Sequence, residues 1–77
     1  MKLELRQAFG KVLFELRQKE GLSQQALADY AEIERSYISN LENGKYYPTL
    51  QVIYKLAPIL SVKPHEMIRM VDNYTKI

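Results

Sequence analysis

Apolar residues recur at intervals of three and four positions along most of this chain, and this spacing restricts its fold more than any other feature. The first such stretch predicts a helix from about Leu3 to about Lys19, which Gly21 ends. Its inward face consists of Leu5, Phe9, Val12, Leu13 and Leu16. No stretch alternates apolar and polar residues as a half-buried strand would, so the sequence predicts an all-α fold.

Residues 23–43 predict two shorter helices joined by a tight turn. Ser23 is a suitable N-cap for the first of them, and a non-helical step follows at Glu32 and Ile33. The second ends at Asn43-Gly44, where glycine can adopt a left-handed conformation. The predicted inward residues are Ala26, Leu27, Tyr30 and Ala31 on the first helix and Ile38 and Leu41 on the second.

Two further helices are predicted in the last third of the chain. Thr49 caps the fourth helix, and Pro64 suits the first turn of the fifth. Pro58 should kink or shorten the fourth helix, and Lys63 stands where Ser or Asp would be a better cap. The apolar stripes are Leu50, Ile53, Tyr54, Leu56 and Ala57, then Met67, Ile68, Met70 and Val71. Residues 1–77 are therefore predicted to form one compact five-helix domain.

Composition narrows the class of protein. The chain has 77 residues, a net charge of +2 and no cysteine, so it needs well-packed helices or a partner subunit for stability. No apolar run approaches the roughly 20 residues that span a bilayer, which predicts a cytoplasmic protein without a membrane partner. The lone His65 is interpreted as an exposed helix residue. Because no nucleophile set, phosphate loop or metal-ligand spacing is present, we expect no enzyme, cofactor or metal.

Several residue groups at fixed offsets together resemble the phage-repressor and Cro-like (Xre-type) helix-turn-helix family. They are Leu22-Ser23-Gln24 with Leu27-Ala28, Arg35-Ser36-Tyr37-Ile38-Ser39, Leu41-Glu42-Asn43-Gly44 and Pro48-Thr49-Leu50. The resemblance covers about residues 9–68, and the Arg-Ser-Tyr-Ile-Ser run is most similar to that of restriction–modification controller proteins. It implies a lambda-repressor-like fold and transcription regulation by binding to double-stranded DNA.

The resemblance also implies roles for individual residues. The positions that would contact bases are Glu34, Arg35, Ser36, Tyr37 and Asn40. Those that would contact phosphates are Gln24, Asn43 and Lys45, and the hydroxyl of the neighbouring Tyr46 is a further phosphate candidate. Arg17 and Glu42 would form an internal salt bridge. Physical chemistry supports the roles, because the forked guanidinium of arginine fits guanine O6 and N7, asparagine pairs with adenine, and lysine supplies a point charge for phosphate.

Alternatives remain for each position. Arg35 and Asn40 could be ordinary solvated side chains, Tyr37 a half-buried core residue, and Gln24 an exposed first-turn residue or a group that orients Arg35. Glu34 stands where Ser, Thr or Asp is frequent in the family, so it would either accept from cytosine N4 or enforce selectivity by repulsion. Glu32 replaces a frequent glycine in the turn, which predicts backbone strain.

One recognition helix covers too few base pairs to specify a site, so the resemblance implies a homodimer whose half-sites lie about one DNA turn apart. The surface expected to pair the two copies lies in residues 50–77. Its candidates are Ile53, Met67, Met70, Val71 and Tyr74, with simple core packing as the alternative, first for Leu60 and Ile68.

The alternative to a DNA-binding regulator is a protein-interaction module, such as an antitoxin that binds a toxin or another protein.

Overall fold

A computed structural model of the protein describes residues 3–75 and contains the five predicted helices. They are α1 (Leu5–Lys19), α2 (Gln24–Ala31), α3 (Arg35–Glu42), α4 (Leu50–Ile59) and α5 (Pro64–Asp72). Helix α3 packs against α1 and α2, whereas α4 packs against α2 and α5, and α5 returns to α1. The all-α prediction is confirmed, and α2 and α3 are the predicted helix-turn-helix pair.

The hydrophobic core receives side chains from all five helices and includes residues with almost no exposed surface. The largest of these are Val12, Leu13, Leu27, Ile38, Leu41, Leu56, Leu60 and Met67. Because α3 supplies Ile38 and Leu41 to this core, its opposite side faces outward. Packing therefore decides which face of α3 remains available to a ligand.

The turn between α2 and α3 has the conformation that the sequence predicted. Ser23 Oγ accepts a hydrogen bond from the Ala26 N–H at 3.0 Å and caps α2. Glu32 then adopts φ 57° and ψ 47°, in the left-handed region that favours glycine. The N-cap Glu34 makes no side-chain capping hydrogen bond. As expected, Glu32 therefore adopts a strained backbone conformation and Glu34 does not cap α3 with its side chain.

The ends of α4 and α5 agree with most of the sequence-based expectations. Thr49 Oγ1 caps α4 by accepting from the Val52 N–H at 3.1 Å, and α4 ends one residue after Pro58. The side chain of Lys63 does not cap α5. Instead, Glu66 Oε1 accepts from the Lys63 N–H at 2.8 Å, and this bond lowers the pKa of the Glu66 carboxyl.

The two ends of the described chain lie side by side. The Leu3 N–H donates to the Tyr74 carbonyl at 2.6 Å, and Leu3 and Thr75 form an isolated parallel bridge. Helix α1 therefore begins at Leu5 rather than at the predicted Leu3, because the backbone of Leu3 pairs with the C-terminal segment. Within residues 3–75 this bridge does not extend into a strand.

Burial corrects several predictions about the apolar stripes. Met67 has no exposed surface, and Ile53 and Val71 are buried, so the core of one copy uses three side chains that the sequence analysis assigned to a dimer interface. Conversely, Ile68, a first choice for the core, is 45% exposed. Other predicted inward residues that are exposed are Leu5, Tyr30, Leu50 and Tyr54.

These differences have one cause. The helices are short and each packs mainly against two neighbours, so the buried stripe is narrower than the apolar pattern suggests. The surplus apolar side chains remain at the surface. None of the helices in the described part of the chain has the length and hydropathy needed to cross a membrane.

Candidate nucleic-acid interface

The N-terminal end of α3 presents three of the predicted base-contacting residues to solvent. Glu34, Arg35 and Ser36 are exposed, and together with Gln25 and Asp29 of α2 they line an open polar cleft of about 440 Å³. Within residues 3–75, Arg35 forms no salt bridge. Its guanidinium is therefore available to an acceptor outside the chain.

The remaining predicted groove residues lie further along α3 and are partly covered. Tyr37 is half-buried and packs against the core, and its ring lies 5.9 Å from the ring of Tyr46, tilted by 31°. Asn40 is also half-buried, and its carbonyl accepts from the Lys45 N–H at 2.9 Å. The contact between Tyr37 and Tyr46 and this hydrogen bond join α3 to the loop that follows, so the phosphate candidates Lys45 and Tyr46 lie beside the recognition helix.

The predicted salt bridge between Arg17 and Glu42 is present and nearly buried. Arg17 Nε and Nη2 donate to the two carboxylate oxygens of Glu42 at 2.6 and 2.9 Å, and their side chains are only 8% and 5% exposed. Arg17 Nη1 also donates to the Leu22 carbonyl at 2.8 Å. The hydrogen bond that Arg17 donates to Glu42 raises the pKa of Arg17 despite burial, so the guanidinium stays charged.

Gln24 joins this pair instead of orienting Arg35. Its Nε2 donates to Glu42 Oε1 at 3.0 Å, so the start of α2 and the end of α3 share one carboxylate. Asn43, just past α3, is exposed, with its Nδ2 3.5 Å from Ser39 Oγ. Gln24 and Asn43, both predicted phosphate ligands, line the same cleft of about 430 Å³, whose other lining residues are Gln7, Gly10, Lys11, Phe14, Arg17 and Glu42.

Gly10 is important for this geometry and was missed by the sequence analysis. A Cβ placed on Gly10 would lie 2.5 Å from the Glu42 carbonyl oxygen and 2.6 Å from that of Leu41. Helix α1 therefore touches the backbone at the end of α3 through a position that only glycine can occupy without a shift. The available signal was a glycine inside a helical pattern, which is typical of close backbone approach.

A second surface, formed by α1, α4, α5 and the loop before α4, is apolar. An open groove of about 210 Å³ is lined by Leu5, Phe9, Tyr47, Pro48, Ile53, Ile68 and Val71. Leu50 and Tyr54 are exposed one turn apart on α4. The guanidinium of Arg6 lies 5.2 Å from the ring centroid of Tyr47 at the edge of this groove.

Tyr74 and Met70 lie elsewhere, against α1. The Tyr74 hydroxyl donates to Glu15 Oε1 at 2.7 Å, which raises the pKa of the phenol. Lys11 Nζ lies 5.2 Å from the Tyr74 ring centroid. Met70 and Tyr74 line a separate cleft of about 220 Å³ together with Glu15 and Lys19. Of the predicted dimer candidates, Ile53 and Val71 thus line the apolar groove, Met70 and Tyr74 line this other cleft, and Met67 has no exposed surface.

Comparison with known proteins identifies the family. A helix-turn-helix family model matches residues 13–67, which include α2, α3, α4, the second half of α1 and the start of α5. The chain therefore belongs to the Xre/Cro-C1-type helix-turn-helix family, as the resemblance predicted. This is a class of transcription regulators and not of enzymes.

Three similar proteins illustrate the range of the family. DdrOP3, a helix-turn-helix-type transcriptional regulator of Deinococcus deserti, is 36% identical over 62 residues, which are 80% of this chain and 48% of DdrOP3. The restriction–modification controller protein C.AhdI of Aeromonas hydrophila is 40% identical with a TM-score of 0.77, over 80% of this chain and 94% of C.AhdI. SinR, a master regulator of biofilm formation whose structure was solved in complex with DNA, is 28% identical with a TM-score of 0.74. The match covers 78% of this chain and 97% of the SinR chain. The chain spans about half the length of DdrOP3.

Proposed function

We propose that this protein is a sequence-specific regulator that binds double-stranded DNA as a homodimer on a two-fold operator. The observation that carries the proposal is the N-terminal end of α3, where Arg35 and Ser36 are exposed and Arg35 has no salt-bridge partner in the described chain. A helix of this kind enters the major groove, where its first residues meet base edges. The dimer would act by occupancy, blocking or assisting polymerase at a promoter.

Base selection is assigned chiefly to two side chains. Arg35 would donate both arms of its guanidinium to guanine O6 and N7, and Asn40 would pair with adenine N6 and N7. Ser36 adds a contact that discriminates little, because a hydroxyl both donates and accepts. Tyr37 contributes its exposed part, with the ring of Tyr46 beside it. Glu34 would accept from cytosine N4 or repel the wrong sequences.

Phosphate binding is assigned to the residues on both sides of α3. Gln24 keeps one amide N–H after donating to Glu42, and Asn43 lies beside it in the same cleft. Lys45 and Tyr46 follow α3 in the loop that the Asn40 carbonyl holds in place. These contacts supply affinity without sequence preference, and they make binding dependent on salt.

The apolar groove is the surface proposed to pair two copies. Exposed apolar side chains gathered around one groove are typical of a protein–protein interface. Ile53 and Val71 remain part of this proposal as the floor of the groove, whereas Leu5, Tyr47 and Ile68 supply exposed area. Met67 has no surface to offer, and Tyr74 is bonded to Glu15 on another face.

Replacing Arg35 with alanine should weaken binding to the preferred site by about 1–3 kcal/mol, which is roughly 5-fold to 150-fold, and relax the preference at one base pair. Lys45→Ala is the matched control, because it should weaken all sequences alike and lower the salt slope by about 1. Titrations of specific and scrambled duplexes at several salt concentrations measure both effects. Unchanged selectivity in the Arg35 variant would exclude its role in base reading.

Replacing Ile68 with glutamate should separate the two copies. A two-fold interface contains the substitution twice. The dimer dissociation constant should therefore rise at least roughly 30-fold, which corresponds to a loss of about 2 kcal/mol in the free energy of dimerisation. Tyr30→Glu is the control, since Tyr30 is exposed on α2 outside the groove. Sedimentation velocity over a range of concentrations is the measurement. A dimer that survives Ile68→Glu would place the interface on another surface.

A further inference from the structure

The cleft that contains Gln24 and Asn43 extends onto α1, where two side chains carry donors that no role yet uses. Gln7 and Lys11 lie one turn apart on α1 and line the same cleft of about 430 Å³ as Gln24 and Asn43. Gln7 Oε1 accepts from the Glu4 N–H at 3.3 Å, which leaves its amide N–H groups as donors. The cleft therefore presents N–H donors from three directions: α1, the start of α2 and the end of α3.

The charges in this cleft favour an anion. Among the described residues that line it, the one carboxylate is that of Glu42, which is neutralised by Arg17 and accepts a hydrogen bond from Gln24. A nearly buried, fully paired carboxylate repels an incoming phosphate much less than a free one would. The amides of Gln7, Gln24 and Asn43 and the ammonium of Lys11 then dominate the field at the opening.

Lys11 is an exposed cation at the edge of the cleft. Its Nζ lies 3.5 Å from Glu15 Oε2, and both side chains of this pair are 46% exposed. Glu15 in turn accepts from the Tyr74 hydroxyl, whose ring lies under the Lys11 ammonium. An exposed pair of this kind contributes little free energy, so a phosphate can compete for the lysine.

We infer that Lys11 binds a backbone phosphate of DNA together with Gln24 and Asn43, and that Glu15, held by Tyr74, limits how readily Lys11 does so. This inference rests on the proposed DNA-binding function. It extends the interface from the helix-turn-helix onto the first helix, and it gives the C-terminal Tyr74 a part in setting affinity rather than in pairing two copies.

Lys11→Gln tests the contact. Loss of one phosphate contact should lower the magnitude of the log–log salt slope by about 0.9 and weaken binding about 5-fold to 10-fold at about 0.1 M salt, equally for specific and scrambled duplexes. Lys19→Gln is the charge-matched control on the same helix, because Lys19 lines the other cleft beside Met70. It should change the slope by much less.

Glu15→Gln tests the restraint in the opposite direction. Freeing Lys11 should strengthen DNA binding, and the gain should vanish when Lys11→Gln is already present. Glu20→Gln, which changes the same charge at an exposed site bonded to Ser61, controls for net charge and should give a gain that does not depend on Lys11. Thermal unfolding of each variant should match the parent protein, since all four residues are exposed.

The outcomes separate this inference from the function on which it rests. If the parent protein selects no DNA sequence, the proposed function fails. If the parent protein binds its site and Lys11→Gln behaves like Lys19→Gln, the phosphate contact is overturned while the function stands. A Glu15→Gln gain that persists without Lys11 would overturn the role of Glu15.

Discussion

Replacing Glu42 with alanine should lower the free energy of unfolding by about 3–5 kcal/mol. The change leaves the Arg17 guanidinium nearly buried, with the Leu22 carbonyl as its remaining hydrogen-bond acceptor within residues 3–75, and it leaves Gln24 without its acceptor. A buried charge without its counter-charge is among the most destabilising substitutions known. The total stability of a small domain is about 5–15 kcal/mol, so the variant should lose a large part of it.

Two variants sharpen the measurement, which is chemical denaturation followed by circular dichroism. Glu15→Ala removes a carboxylate from the exposed pair with Lys11 and from the exposed hydrogen bond with Tyr74, and it should cost at most about 2 kcal/mol. The double change Arg17→Met with Glu42→Leu should recover much of the loss, because apolar side chains of similar volume replace a buried pair at little cost. A Glu42→Ala variant as stable as Glu15→Ala would show that the buried pair is not what joins α1 to α3.

Replacing Gly10 with alanine should lower the free energy of unfolding by about 1–3 kcal/mol, although alanine is the better helix former. The added methyl group would meet two backbone carbonyls of α3, and backbone cannot move aside as a flexible side chain can. Because those carbonyls belong to Leu41 and Glu42, the displacement should also reach the recognition helix and weaken DNA binding.

Gly21→Ala is the control for this substitution. A Cβ on Gly21 meets nothing within 4 Å, but its φ of +69° costs about 1 kcal/mol for any other residue. Both variants therefore lose stability for different reasons. In two-dimensional NMR spectra, Gly10→Ala should shift the amide signals of Leu41 and Glu42, whereas Gly21→Ala should leave α3 unchanged. Shifts confined to α1 in the Gly10 variant would contradict the close contact.

The element order could be predicted from sequence because its signals are local. Ser23 and Thr49 cap helices by bonding the backbone three residues on, and this geometry needs no knowledge of the rest of the fold. The strain at Glu32 and the poor cap at Glu34 were predicted from the resemblance, which gave their places in the turn, together with the preference for glycine and for short polar caps at those places. The ion pair of Arg17 and Glu42 spans 25 positions, so it depended on the resemblance to the family.

Burial could not be predicted as well, since it depends on how many neighbours each helix has. Ile68 and Met67 are adjacent apolar residues on α5, yet Ile68 is exposed and Met67 has no exposed surface, because α5 packs mainly against α1 and α4. The contacts of Gln24 and Tyr74 were likewise outside the reach of pattern reasoning. Each side chain bonds a carboxylate far away in sequence, on Glu42 and Glu15 respectively.

The central claim is that α3 reads DNA sequence in a two-fold dimer. Selection of binding sites from random duplex DNA, with purified protein at moderate salt, tests it most directly. We expect a two-fold motif whose half-sites are about 10 base pairs apart, with guanine at the position that Arg35 meets. Recovery of no motif, with only weak and salt-dependent binding, would contradict the claim and favour a protein as the main partner.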